Sequence, residues 1–145
     1  MRVVIDTNVI VSGLYDPDAP PGRVLDAAAE GRIVLCAPES VREELERVLK
    51  EVSDYAETEV GHTLRALPIE WIERAVCEAD LATAGVLIRD PDDAPVLACG
   101  FALACDIVSG DKDFREARQR RVKVWKPTEP ATGGVARGPP HRKDM

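Results

Sequence analysis

Apolar and polar positions along the chain switch between strand-like runs and helical spacing. Val3-Val4-Ile5 is a β-branched run that stops at Asp6-Thr7-Asn8, which predicts a buried strand entering a loop. Residues 9–14 predict a short helix. Residues 16–22, with Pro17, Pro20 and Pro21, read as a loop. Val24, Leu25 and Ala28 lie at helical spacing within residues 23–30, and Gly31 is a stop signal. Residues 33–36 predict a second strand. Pro38 is placed at the first position of a helix reaching about residue 52. A further helix covers about 55–66. Another starts near Pro68 and runs to about Ala84, with Trp71, Ile72, Ala75, Val76 and Ala79 as its apolar face. Residues 86–88 read as extended. A small-residue helix over 93–104 leads into a strand at 107–109. Residues 114–121 read as a polar helix and residues 122–125 as a last edge strand.

Strands alternating with helices imply α/β architecture, with a parallel sheet covered on both faces. At 145 residues the chain is one domain. From Pro127 onward Pro, Gly and Thr dominate and no period survives. Residues 1–129 are therefore expected to form the domain and 130–145 a disordered tail. No apolar run approaches the ~20 residues of a membrane span. A carboxylate at position 6 comes too early for the apolar region of a signal peptide. The expectation is a cytoplasmic protein with no membrane contact. Cys36, Cys77, Cys99 and Cys105 form no CxxC pair and no His-x-Cys spacing, so they read as small buried hydrophobes rather than zinc ligands. A disulfide framework is not expected in a reducing compartment.

The net charge of −7 is unevenly spread: residues 1–110 carry −12 and residues 111–145 carry +5. The acidic bulk disfavours nonspecific adhesion to nucleic acid. The basic end, where Lys112, Arg115 and Arg118 begin, could still supply local phosphate contacts.

Two rules sort the carboxylates. Open parallel sheets bind ligands at the carboxyl ends of their strands. Asp6 and Asp111 follow strands, whereas Asp106 precedes one and falls on the opposite rim. In the helix after Pro38, Val41, Leu45, Val48 and Val52 share a stripe; at ~100° per residue Glu44 lies on its shoulder and Glu43 points to solvent. The same phasing puts Asp93 on the inward face of the first turn of its helix, where a capping role is equally open to it. Asp6, Glu44, Asp93 and Asp111 can therefore converge at one end of the sheet. Carboxylates that close repel unless a cation lies between them. An all-oxygen set without His or Cys suits Mg²⁺ or Mn²⁺. His62 and His141 fall away from the cluster and read as surface residues. No Walker loop or GxGxxG follows a strand.

Val3-Val4-Ile5-Asp6-Thr7-Asn8-Val9, Arg42-Glu43-Glu44-Leu45, Asp90-Pro91-Asp92-Asp93-Ala94-Pro95-Val96-Leu97-Ala98 and Ile107-Val108-Ser109-Gly110-Asp111-Lys112-Asp113-Phe114 resemble, in order and spacing, the four acidic motifs of PIN-domain nucleases. The resemblance covers about residues 2–127 and is nearest to the VapC-like toxins of toxin–antitoxin pairs. It implies a three-layer α/β/α fold with a central parallel sheet, related to 5′-nuclease domains. It implies Mg²⁺- or Mn²⁺-dependent cleavage of RNA, with Asp6, Glu44, Asp93 and Asp111 as the metal-binding and catalytic acids. Asp113 is a candidate extra ligand. Asn8 and Ser109 match the polar residues that hold the first carboxylate in place. Ala37 stands where such proteins often carry a Ser or Thr helix cap.

The expected function is a metal-dependent endoribonuclease, the toxin of a type II pair, with an RNA substrate, a small antitoxin protein as partner and a homodimeric state. One alternative is a housekeeping RNA-processing PIN nuclease without an antitoxin. Another is a catalytically inactive PIN-fold binding protein, against which four mutually repelling carboxylates argue.

Overall fold

The computed structural model describes residues 1–52 and 56–129. Tyr55, His141 and the expected tail at 130–145 lie outside the described residues. Among the described residues five strands form one parallel sheet: β1 (Arg2–Ile5), β2 (Val34–Pro38), β3 (Ile69–Ile72), β4 (Asp106–Val108) and β5 (Val124–Trp125), in the order β3-β2-β1-β4-β5. β1 is central. Val4 faces Cys36 of β2 on one side and Ile107 of β4 on the other. Val3, Val4 and Ile5 are wholly buried. Burial on both faces is why this strand reads as an unbroken apolar run rather than an alternating one.

The helices are α1 (Thr7–Tyr15), α2 (Pro20–Ala29), α3 (Glu39–Val52), α4 (Glu57–Ala66), α5 (Arg74–Leu87), α6 (Ala94–Leu103) and α7 (Lys112–Glu116), with a single 3₁₀ turn at Pro91–Asp93 before α6. The chain steps from β1 to β2 to β3, then jumps back to β4 on the far side of β1. Right-handed crossovers consequently put α1–α4 on one face and α5–α7 on the other. α6 lies directly on β1, β2 and β4, and α5 covers α6 from outside. That double cover explains why α6 is apolar nearly all round. Gly100 lets it approach the sheet: a Cβ there would sit 3.0 Å from Ile107 Cδ1. α6 ends in a left-handed residue, Ala104 at φ 51°, with Cys105 N–H bonded to Gly100 O at 3.0 Å.

Several expected elements are corrected. The 16–22 loop is shorter than expected, because Pro20 and Pro21 occupy the first turn of α2, where a missing N–H costs nothing. Pro38 is the last residue of β2, opposite Ile72, and not the first of a helix. Ala37 is likewise a strand residue and has no capping position to fill. The expected helix from Pro68 is two elements. Residues 69–72 form edge strand β3, and only from Arg74 does the chain turn helical. The expected strand at 86–88 is the end of α5 and its cap; Val86 is 86% exposed. The polar helix after Phe114 stops at Glu116, and β5 is confined to Val124–Trp125.

All four cysteines are buried and free. Asp106 ties β4 to its neighbour, accepting from Lys123 N–H at 3.0 Å and from Trp125 Nε1 at 3.1 Å. Among the described residues no helix is long and apolar enough to cross a membrane.

Candidate functional site

The order reversal between β1 and β4 makes a crevice at the carboxyl ends of these two strands, where open α/β sheets place ligands. Asp6 is the first residue beyond β1 and caps α1. Its Oδ1 accepts from Val9 N–H at 3.0 Å. Its Oδ2 accepts from the hydroxyl of Ser109, the first residue beyond β4. Ser109 is wholly buried, and its Oγ also accepts from Asp111 N–H at 3.0 Å. Asp111 in turn caps α7 through Asp113 N–H at 2.9 Å. One hydroxyl thus fixes the positions of two carboxylate-bearing residues from different strands.

Asp93 ends the 3₁₀ turn and starts α6, yet makes no capping bond. The capping bond in that turn belongs to Asp90, whose Oδ1 accepts from Asp92 N–H at 2.9 Å. Asp93 Oδ2 is closed off from solvent and, among the described residues, has no hydrogen-bond partner. Burial, then the charges of Asp111, Asp90, Asp6 and Asp113, push its carboxyl up to about 7. Asp6 is also raised, chiefly by burial; the bonds from Ser109 and Val9 oppose this, and the charges of Asp111 and Glu44 add to it.

A cleft of about 330 Å³ opens between the start of α1, α3 and the start of α6, with Asp6, Asn8, Glu44 and Asp93 on its wall. Glu44 is half-buried there. Glu43 also borders the cleft, which the helical phasing did not predict. It is exposed at the rim, and its Oε1 is held by Arg74 Nη2 at 2.7 Å. Asp111 and Asp113 do not line this cleft, but one carboxylate oxygen of each lies within 4.8 Å of one of Asp93 and of each other. Asp93 is therefore common to both parts of the acidic set.

The supporting residues divide. Ser109 makes the contact to Asp6. Asn8 is exposed on the cleft wall and, among the described residues, makes no side-chain bond to Asp6; the second bond comes from the Val9 backbone instead. Lys112, Arg115 and Arg118 are exposed and do not border the cleft. Because α7 ends at Glu116, Arg118 lies beyond it and shares no helical face with Arg115. His62 is exposed on α4, beside Arg65. Thr7, Ser40, Arg47 and Asp92 also line the cleft and, like Glu43, were not expected there. For Ser40 and Arg47 the signal was available, since Ser40, Glu44 and Arg47 stand at i, i+4 and i+7 on α3.

The donors gathered here are carboxylate oxygens without nitrogen or sulfur, the set that a hard divalent cation takes. A buried carboxylate oxygen with no partner is costly unless something positive meets it. The residues present fit such an ion.

Residues 2–113 match the sequence pattern of the PIN domain. The chain is 31% identical over 119 residues to the uncharacterized protein MJ1680 of Methanocaldococcus jannaschii, an alignment covering 81% of this chain and 76% of that one. Its fold is similar to a chain in the crystal structure of VapBC2 from Rickettsia felis bound to a DNA fragment from their promoter. The TM-score is 0.65 at 18% identity, over 87% of this chain and 98% of that chain. With the family pattern spanning β1 to the start of α7, and the parallel five-stranded sheet carrying it, this chain belongs to the PIN domain family.

Proposed function

We propose that this protein is a metal-dependent endoribonuclease acting at the Asp6–Glu44–Asp93–Asp111 crevice. The observation that carries the reading is the buried Asp93 Oδ2, without a partner among the described residues and beside the carboxylates of Asp111, Asp90, Asp6 and Asp113. A fold gains nothing by holding these charges together without a cation between them.

Asp6, Asp93 and Asp111 would hold Mg²⁺ or Mn²⁺, with Asp113 as a further oxygen donor. The ion would lower the pKa of a bound water and neutralise charge on the phosphoryl group. The rest belongs to the chain. Val9 N–H and Ser109 Oγ keep both Asp6 oxygens aimed, and Ser109 also sets the backbone of Asp111. Glu44, also on the cleft wall, orients the attacking water and accepts its proton. The water oxygen forms a bond to phosphorus as the bond to the leaving ribose oxygen breaks in line, and that oxygen takes a proton from solvent. Lys112, Arg115 and Arg118 supply exposed positive charge beside Asp111 for the RNA backbone.

We further propose that the nuclease is the toxin of a cytoplasmic toxin–antitoxin pair, homodimeric and bound by a small antitoxin protein. The support is its fold-level likeness to a chain of the VapBC2 complex. The test of activity is cleavage of a single-stranded oligoribonucleotide by the purified chain with Mn²⁺ or Mg²⁺. Cleavage should disappear in EDTA and return on adding either ion; full cleavage in chelator contradicts the proposal. A small neighbouring gene whose product co-purifies with the chain and suppresses cleavage is the expected result for the pair.

A further inference from the structure

Arg47 is a cation on the wall of an otherwise acidic cleft, and its natural partner is already taken. Glu43 stands one turn before it on α3, the i, i+4 spacing at which Glu and a basic residue pair. Arg74, at the start of α5, claims Glu43 instead, at 2.7 Å. Among the described residues Arg47 forms no ion pair, and none with Glu44, Asp6 or Asp93. It is exposed, so its guanidinium stays hydrated and available.

Resting on the nuclease reading above, we infer that Arg47 binds the phosphate of the RNA that neighbours the one being cleaved. Three residues of helix separate Arg47 from Glu44, about 4.5 Å along the axis of α3. That offset places Arg47 farther along the α3 wall of the cleft than Glu44. A planar guanidinium offers paired N–H donors that match a phosphate's oxygens. The phosphate under attack would be drawn to an ion held by Asp6, Asp93 and Asp111. Among the described residues that line the cleft Arg47 is the one cation, so a neighbouring phosphate held there has no other positive side chain to meet. Ser40, at the other end of the same helical face, leaves the Arg47 end as the cationic one. The cleft is thus polarised along α3, and the strand of RNA acquires a register.

The test uses the full chain loaded with Mn²⁺ and an oligoribonucleotide with one cleavage site. A neutral methylphosphonate linkage is walked along the oligonucleotide. Arg47→Gln should raise KM about tenfold, with kcat and Tm unchanged and Arg47→Lys recovering part of the loss. A methylphosphonate at one flanking linkage should weaken the native protein by the same factor and leave Arg47→Gln unaffected. On a dinucleoside monophosphate, which has only the scissile phosphate, native and Arg47→Gln proteins should be equal. The salt slope of binding, measured with Ca²⁺ in place of Mn²⁺, should fall by about 0.7 in the variant. Equal KM on the long substrate, or a loss of the same size on the dinucleotide or at every linkage, overturns the inference and leaves the nuclease reading standing. Failure of the native protein to cleave RNA overturns that reading, and failure to bind it as well overturns both.

Discussion

Ser109 Oγ donates to Asp6 Oδ2 across 103 residues of sequence, and so fastens the end of β4 to the end of β1. The same oxygen accepts from Asp111 N–H, so the crevice is held by a wholly buried hydroxyl and not by its carboxylates alone. Ser109→Ala should destabilise the protein by about 1–3 kcal/mol, since it strands both partners. It should also weaken Mn²⁺ binding roughly 10–100-fold, as loss of an orienting partner does. Calorimetric titration of Mn²⁺ and thermal melts check both; unchanged metal affinity would show that Asp6 needs no such support.

The neighbouring acids of α3 should behave differently. Glu44→Gln should lower kcat at least a hundredfold, the scale of a lost general base. Glu43→Gln breaks only an exposed pair with Arg74, worth about 0–1 kcal/mol, and should leave kcat within about threefold of native. Comparable losses in both variants would contradict the placement of Glu44 as the working carboxylate.

Asp93 links stability to pH. Its carboxyl sits at about 7 in the fold against an ordinary 3.8, so the folded state holds that proton more tightly than the unfolded chain. The contribution of the protonated form is full below pH ~4 and is lost as pH rises toward 7. Without metal, the native protein should therefore lose stability relative to Asp93→Asn across that window, by on the order of 2 kcal/mol after solvent screening. Added Mn²⁺ should reverse the order at pH 7, because a cation bound only by the folded state stabilises it. Parallel pH curves for the two proteins would contradict the buried, uncompensated carboxylate.

Ala104 occupies a left-handed position at the end of α6 that glycine takes without strain. Ala104→Gly should stabilise by about 0.5–1 kcal/mol with activity unchanged, read as a rise in Tm.

The sequence carried the sheet's centre and the convergence of acids better than its edges. β1 and β4 are β-branched runs ending at a polar residue, and both are found where that pattern puts them. The edge strand β3 was hidden because Trp71, Ile72, Ala75, Val76 and Ala79 also fit a 3.6 period. A four-residue strand leaves too little alternation to outweigh that. Residues 86–88 misled in the opposite way, since a β-branched Val86 can face solvent at the end of a helix. At the site, chain order against the strands was enough to separate Asp6 and Asp111 from Asp106. The capping bond of Asp6, the Glu43–Arg74 pair and the missing partner of Asp93 Oδ2 were not legible, because each depends on elements distant in sequence or on local backbone geometry.

The reaction proposed at the Asp93 crevice is attack of a water on an RNA phosphate. Mass spectrometry of the cleavage products formed in ¹⁸O-labelled water measures this directly. The expected result is one solvent oxygen in the terminal phosphate of the product, no 2′,3′-cyclic phosphate, and no product from Asp93→Asn or in EDTA. A 2′,3′-cyclic phosphate, or undiminished cleavage by Asp93→Asn, would contradict it.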